Sequence, residues 1–246
     1  MYPSPLARDN GFTLVELAIV LVIVTLLSGG LMMSLSAQQE AVASAETQRR
    51  LYDARDALLG FAAANGRLPC PAAPNATGSE APTIGGNCTN NWDGFLPAIT
   101  LGLSPTDANG YAIDGWGNPI RYAVTSDKSN QVTTSNQIKA AWNAGTGLAA
   151  DLYVCNTATG ISWNGTIASC AAGMTLASNA VAVIYSRGKN GASAPTSQDE
   201  KANGNADPLF VSHTPTPAGA NEFDDMVIWL SPNILYNRMI VAGRLP

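Results

Sequence analysis

Between Phe12 and Leu35 the chain carries a single ionisable side chain, Glu16; the other residues are apolar, small or hydroxyl-bearing. Coiled as an α-helix, that stretch would measure about 36 Å at about 1.5 Å per residue, enough to cross the hydrocarbon of a bilayer. The sequence therefore predicts a transmembrane helix over 12–35. A carboxylate near the start of such a helix costs on the order of 2.5–3.5 kcal/mol in lipid, so Glu16 is expected to answer to a partner. Ser28-Gly29-Gly30 interrupts the strong helix formers, at about 1 kcal/mol per Gly relative to Ala. It is a soft point, or a place where another helix approaches closely.

The helical pattern does not stop at Leu35. From Gln38 to Ala64 there is no Pro and no Gly before Gly60, and Leu51, Ala54, Leu58 and Phe61/Ala62 form a stripe at helical spacing. Arg49 and Asp53 stand four residues apart on the polar side. Asn65-Gly66 reads as a helix stop, and Leu68-Pro69-Cys70-Pro71 cannot continue a helix. A helix of 12–65 is far longer than a globular helix. Its second half, 36–65, is expected to pack on a head formed by 66–246.

That head is loop-rich and carries little charge. Charged residues make up 13% of the chain and the net charge is −5. The few, unclustered Lys and Arg residues argue against nucleic acid as the main partner. Pro71 to Asn91 is rich in turn-formers. Strands are expected from Ile120 to Val124, Leu152 to Val154, Val181 to Tyr185 and Met226 to Leu230, with a short helix over 233–241. Trp116, between the Asp114-Gly115 and Gly117-Asn118-Pro119 turns, is expected in the core. The fold class is α+β: a long N-terminal helix packed on a small antiparallel sheet, with no internal repeat and no segment long enough for a second domain.

The four cysteines fall into two local pairs, Cys70 with Cys88 and Cys155 with Cys170. Four cysteines allow three connectivities, of which the two sequential bridges are expected. No C-x-x-C occurs, and His213 has no second histidine to share a metal. Catalysis finds no support either: there is no nucleophile elbow, no P-loop and no dinucleotide fingerprint. An enzyme is not expected.

The start of the chain, a short polar leader followed by Gly11-Phe12-Thr13-Leu14-Val15-Glu16-Leu17, resembles the class III leader of type IV pilins and pseudopilins. The resemblance implies cleavage between Gly11 and Phe12 by a prepilin peptidase, which also N-methylates Phe12. The leader, 1–11, is then lost and the helix stays; an ordinary secretory signal loses its apolar region. Arg8 is balanced by Asp9, so the positive-inside signal rests on Arg8 and the α-amino group. In the filament the carboxylate of Glu16 would neutralise the Phe12 amine of a neighbouring subunit. The alternative is a Glu16 that merely snorkels to the headgroups. The implied localisation is the bacterial inner membrane, single-pass, with the head in the periplasm. The implied partners are the peptidase/methyltransferase, an inner-membrane assembly platform, membrane lipid and other pilin-like subunits.

The Trp-Gly-Asn-Pro segment at 116–119 is similar to one that starts the small sheet of pseudopilins. Ser186-Arg187-Gly188-Lys189-Asn190-Gly191 and Asp224-Asp225, ahead of the last strand, resemble the calcium-holding segments of major pseudopilins of type II secretion. They imply a calcium ion near Asp224, Asp225 and Asn190, although the segment between them is longer than the family's and Asn190 stands where an Asp would serve better. The reading without an ion is a solvated acidic loop. Three functions remain open: a structural pseudopilin; a minor pilin whose head binds a surface, protein or DNA through loops 71–91 or 190–222; and a membrane-anchored protein that is not cleaved at Gly11.

Overall fold

A computed structural model describes residues 13–74 and 77–246, without the side chains of 28–36 and 127–128. The chain divides into two compact units between Val42 and Ala43. Helix α1 runs Leu14–Asn65 and so contributes to both. In the first unit, every large apolar side chain from Leu14 to Leu27 is at least half exposed. Thr25 returns its hydroxyl to the carbonyls of Leu21 (3.0 Å) and Val22 (2.9 Å), which leaves no polar group of that side chain unpaired.

In the second unit the remainder of α1 lies on a four-stranded antiparallel sheet. Its strands are β1 (Gly94–Phe95), β2 (Arg121–Val124), β7 (Ala182–Ser186) and β9 (Met226–Leu230), in the order β1-β2-β7-β9. The expected stripe buries Leu51, Ala54, Leu58 and Ala62 against Tyr122, Val124, Ala182, Ile184 and Leu230. Alternate residues of the same strands, Ala123, Val183 and Tyr185, face the opposite core with Leu152, Val154 and Phe210. That second face is covered by a sheet of order β6-β3-β8, from β3 (Leu152–Cys155), β6 (Thr175–Ala180) and β8 (Leu209–Val211). A strand buried on both faces reads as a continuous apolar run, and β7, Ala-Val-Ile-Tyr-Ser, is one. The single small antiparallel sheet expected from sequence is therefore incomplete: there are further sheets, and β3 pairs β8 in parallel. The third sheet is the hairpin of β4 (Ser162–Trp163) and β5 (Ala168–Ser169).

Short helices α2 (Ala98–Leu101), α3 (Asp127–Asn130), α4 (Gln137–Asn143), α5 (Gln198–Asn203) and α6 (Pro232–Val241) fill the connections. α6 places Leu235 and Met239 in the first core. After it, Arg244 donates from Nε to Ala63 O at 2.7 Å and from Nη2 to Ala64 O, so the orphan carbonyls at the end of α1 are satisfied by a cation.

Cys70–Cys88 and Cys155–Cys170 are disulfides, and no described cysteine is free. The first closes the loop that follows α1. Beneath it Arg67 and Glu80 are 7% and 5% exposed and pair bidentately, Nη1 to Oε2 at 2.8 Å and Nη2 to Oε1 at 2.7 Å. The Cys70 amide donates to Glu80 Oε2 at 3.0 Å. Trp116 is half-buried, not a core residue, because the turn that carries it is drawn over α1. Gly115 lies so close to the backbone of Ala43 that a Cβ could not fit, and its amide donates to Thr47 Oγ1 at 2.8 Å.

Candidate functional site

Two places in the chain combine unusual chemistry with defined geometry. The first is the start of α1. Thr13 is the residue before the helix, and its amide and hydroxyl both donate to Glu16 Oε2, at 2.9 and 2.8 Å. The Glu16 amide donates in return to Thr13 Oγ1 at 3.3 Å. This is a reciprocal capping box, Thr-x-x-Glu, in which two of the helix's orphan amides are satisfied by side chains. The Thr13-x-x-Glu16 spacing alone carries this signature. The local partner of the Glu16 carboxylate is Thr13.

The second place is the end of β7 and the approach to β9. The Asp114 carboxylate organises it. Asp114 Oδ1 accepts the amides of Trp116 (2.9 Å) and Asn118 (2.8 Å), and Oδ2 accepts the Ser186 hydroxyl at 2.6 Å. The Ser186 hydroxyl in turn accepts the Gly188 amide at 3.0 Å, and Asn118 Nδ2 donates to Gly188 O at 2.7 Å. The turn at 114–118 and the loop at 186–188 thus lock together. Gly188 takes φ +62°, and a Cβ there would collide with the Asp224 carboxylate, so only glycine allows the loop to close over that acid.

Around Asp224 three carboxylates converge: Glu200, Asp224 and Asp225 offer oxygens within 4.8 Å of one another. Asp225 Oδ2 accepts from Asn203 Nδ2 at 2.7 Å. Asp224 Oδ2 accepts the Asn190 amide at 3.1 Å, and Glu200 Oε1 accepts Asn190 Nδ2 at 3.1 Å. Two buried oxygens, Glu200 Oε2 and Asp224 Oδ1, have no hydrogen-bond partner. Burial, with the neighbouring carboxylates adding to it, pushes Asp224 up to about 6 and Asp225 up to about 7. Like charges this close and this dry are held apart in energy only by a shared proton or a cation. An all-oxygen set with two orphaned acceptors fits the calcium ion that the resemblance implies, a hard cation that takes six to eight oxygens. When bound it would supply the positive charge these carboxylates lack.

Residues 6–32 match the family model described as the prokaryotic N-terminal methylation motif. The chain carries a class III prepilin leader. No curated protein and no solved structure matches the chain. The motif makes this N-terminus type IV pilin-like.

Of the residues named from the motif, Gly11 and Phe12 lie outside the described residues, and Glu16 sits at the third helical position of α1. Among the described residues no helix is long and apolar enough to cross a membrane. The expected 12–35 span runs on through 28–36, whose side chains lie outside the described residues. The described apolar side chains from Leu14 to Leu27 would cover about 21 Å against the ~30 Å of hydrocarbon, and 28–35 lie beyond them. At the acidic cluster, Asp224 and Asp225 are neighbours in sequence and both belong to the converging set. Asn190 joins them as a hydrogen-bond donor, and the third carboxylate is Glu200, which the resemblance did not include.

Proposed function

We propose that this protein is a structural pilin-like subunit of a type II secretion or type IV pilus-like filament. A prepilin peptidase removes 1–11, Phe12 becomes the methylated N-terminus, and 12–35 anchors the chain in the inner membrane until a filament draws it in. The methylation motif at 6–32 carries this reading. Its physical support is the row of exposed apolar side chains from Leu14 to Leu27, which water does not tolerate as a contiguous surface and which lipid or packed neighbouring helices would cover. Glu16 fits such an assembly because one of its oxygens, Oε2, is held by the cap of its own helix while the other, Oε1, is left to meet a neighbour's α-amine.

The disulfide-closed loop and the buried Arg67–Glu80 pair suit a domain that must hold its shape in an oxidising compartment without chaperones. Replacing Glu16 by Ala tests the assembly role. The expected result is a chain cleaved and methylated as usual that stays in the membrane fraction and is absent from sheared or pelleted filaments. Filaments at the wild-type level with E16A would overturn it.

A further inference from the structure

We propose that Glu200 is a direct ligand of a calcium-class divalent cation, and that the ion thereby fastens α5, in the long segment between β7 and β9, to the approach of β9. The proposal is independent of the filament reading. Glu200 follows Ser197 in a Ser-x-x-Glu pattern, and Ser197 Oγ accepts the Glu200 amide at 3.1 Å as the N-cap of α5. A capping-box glutamate ordinarily turns its carboxylate back to the N-cap amide, as Glu16 does toward Thr13. Glu200 turns instead toward Asn190 Nδ2 (3.1 Å) and the Asp224 amide (3.4 Å). Glu200 is 2% exposed, its Oε2 meets no donor, and its carboxylate converges with those of Asp224 and Asp225 to within 4.8 Å. A buried carboxylate that forgoes its local partner and leaves one oxygen unpaired is strongly disfavoured unless a proton or a cation stands there.

The consequence concerns how the two faces of the head are joined. α5 is tied to β8 through Asn203, which exchanges hydrogen bonds with the backbone of Val211 at 2.7 and 3.0 Å and also donates to Asp225. An ion held by Glu200 from α5 and by Asp224 and Asp225 would close the same triangle with charge. Segment 187–208 would then be anchored in calcium and loosely held without it. The ligand set is all oxygen, with no described His or Cys among the three converging groups, so zinc and copper are not favoured.

The test uses the full chain in mild detergent, stripped with EDTA and titrated with CaCl2 or MgCl2 under calorimetry, thermal unfolding and limited proteolysis. For the wild type the expected result is saturable calcium binding, a rise in Tm of about 5–10 °C at one hundred times Kd, and slower cleavage within 187–208. Glu200→Gln keeps Oε1 for Asn190 and places a donor amide among the acids. In EDTA it is expected to match or exceed the wild-type Tm, which also shows that it folds, and to bind calcium at least about tenfold more weakly without proteolytic protection. A wild type that does not respond to calcium would overturn the proposal. So would E200Q binding calcium with wild-type affinity, or E200Q melting lower than wild type in EDTA, since each makes Glu200 a structural residue and no ligand.

Discussion

Neutralising Glu80 should damage the head severely, and the structure allows the size of the loss to be worked out. Glu80→Gln keeps the shape but replaces a carboxylate that accepts two guanidinium hydrogen bonds, at 2.7 and 2.8 Å, and the Cys70 amide at 3.0 Å. Both partners are almost fully buried, so neither salt nor water compensates the Arg67 charge that is left behind. Breaking a buried pair by removing one charge costs about 3–5 kcal/mol, and the conservative amide places the expectation near the lower end, about 3 kcal/mol. For a unit of this size that is a fall in Tm of about 6–12 °C. Differential scanning calorimetry of the disulfide-intact full chain in mild detergent would read it, and the loss should be the same at low and high ionic strength. The double variant Arg67→Met, Glu80→Leu should regain most of it, because two apolar side chains no longer carry an unpaired charge. A single variant within about 1 kcal/mol of wild type, or a double variant as unstable as the single one, would refute the argument.

Leu58→Ala removes a fully buried side chain from the face of α1 that lies on the four-stranded sheet, and should cost about 2–5 kcal/mol in chemical denaturation. In EDTA the head should gain stability as the pH falls from 7.5 to 5.5. Burial raises Asp224 and Asp225 to about 6 and about 7 in the folded chain, so the folded state takes up protons that the unfolded chain, with carboxylates near 4, does not. That gain is complete below the unfolded value and is lost as pH rises through 6–7. Asp225→Asn should flatten the profile, and a Tm that falls steadily over this range would contradict the burial argument.

What the sequence made legible was whatever one local pattern decides. The stripe Leu51, Ala54, Leu58 and Ala62 and the Asn65-Gly66 stop placed the second half of α1, because helical spacing and a terminating turn are both local. β9, Met226–Leu230, stood out as a short apolar run bounded by acids and Ser-Pro. β6, Thr175–Ala180, did not, since five of its six residues are small or polar and only its pairing with β3 makes it a strand. β8 has three residues inside an acidic loop, too few to give a period, and is fixed by the parallel register Tyr153–Leu209 to Cys155–Val211. Trp116 looked like core because aromatic residues in turns beside strands often are; the close approach of Gly115 to α1 leaves it half-buried instead. At the candidate site, Asp224 and Asp225 were marked by their resemblance to calcium-holding segments, whereas Glu200 is 24 residues from Asp224 in sequence and lies outside those segments. Only the fold brings it to the other two.

The central claim is that the chain is processed as a prepilin, and the N-terminus of the protein taken from native membranes tests it directly. Intact mass and N-terminal sequencing should give a chain that begins at N-methylated Phe12, with Met1 to Gly11 gone. A chain that still begins at Met1, or one that begins beyond Leu35 with the apolar helix removed, would contradict the account.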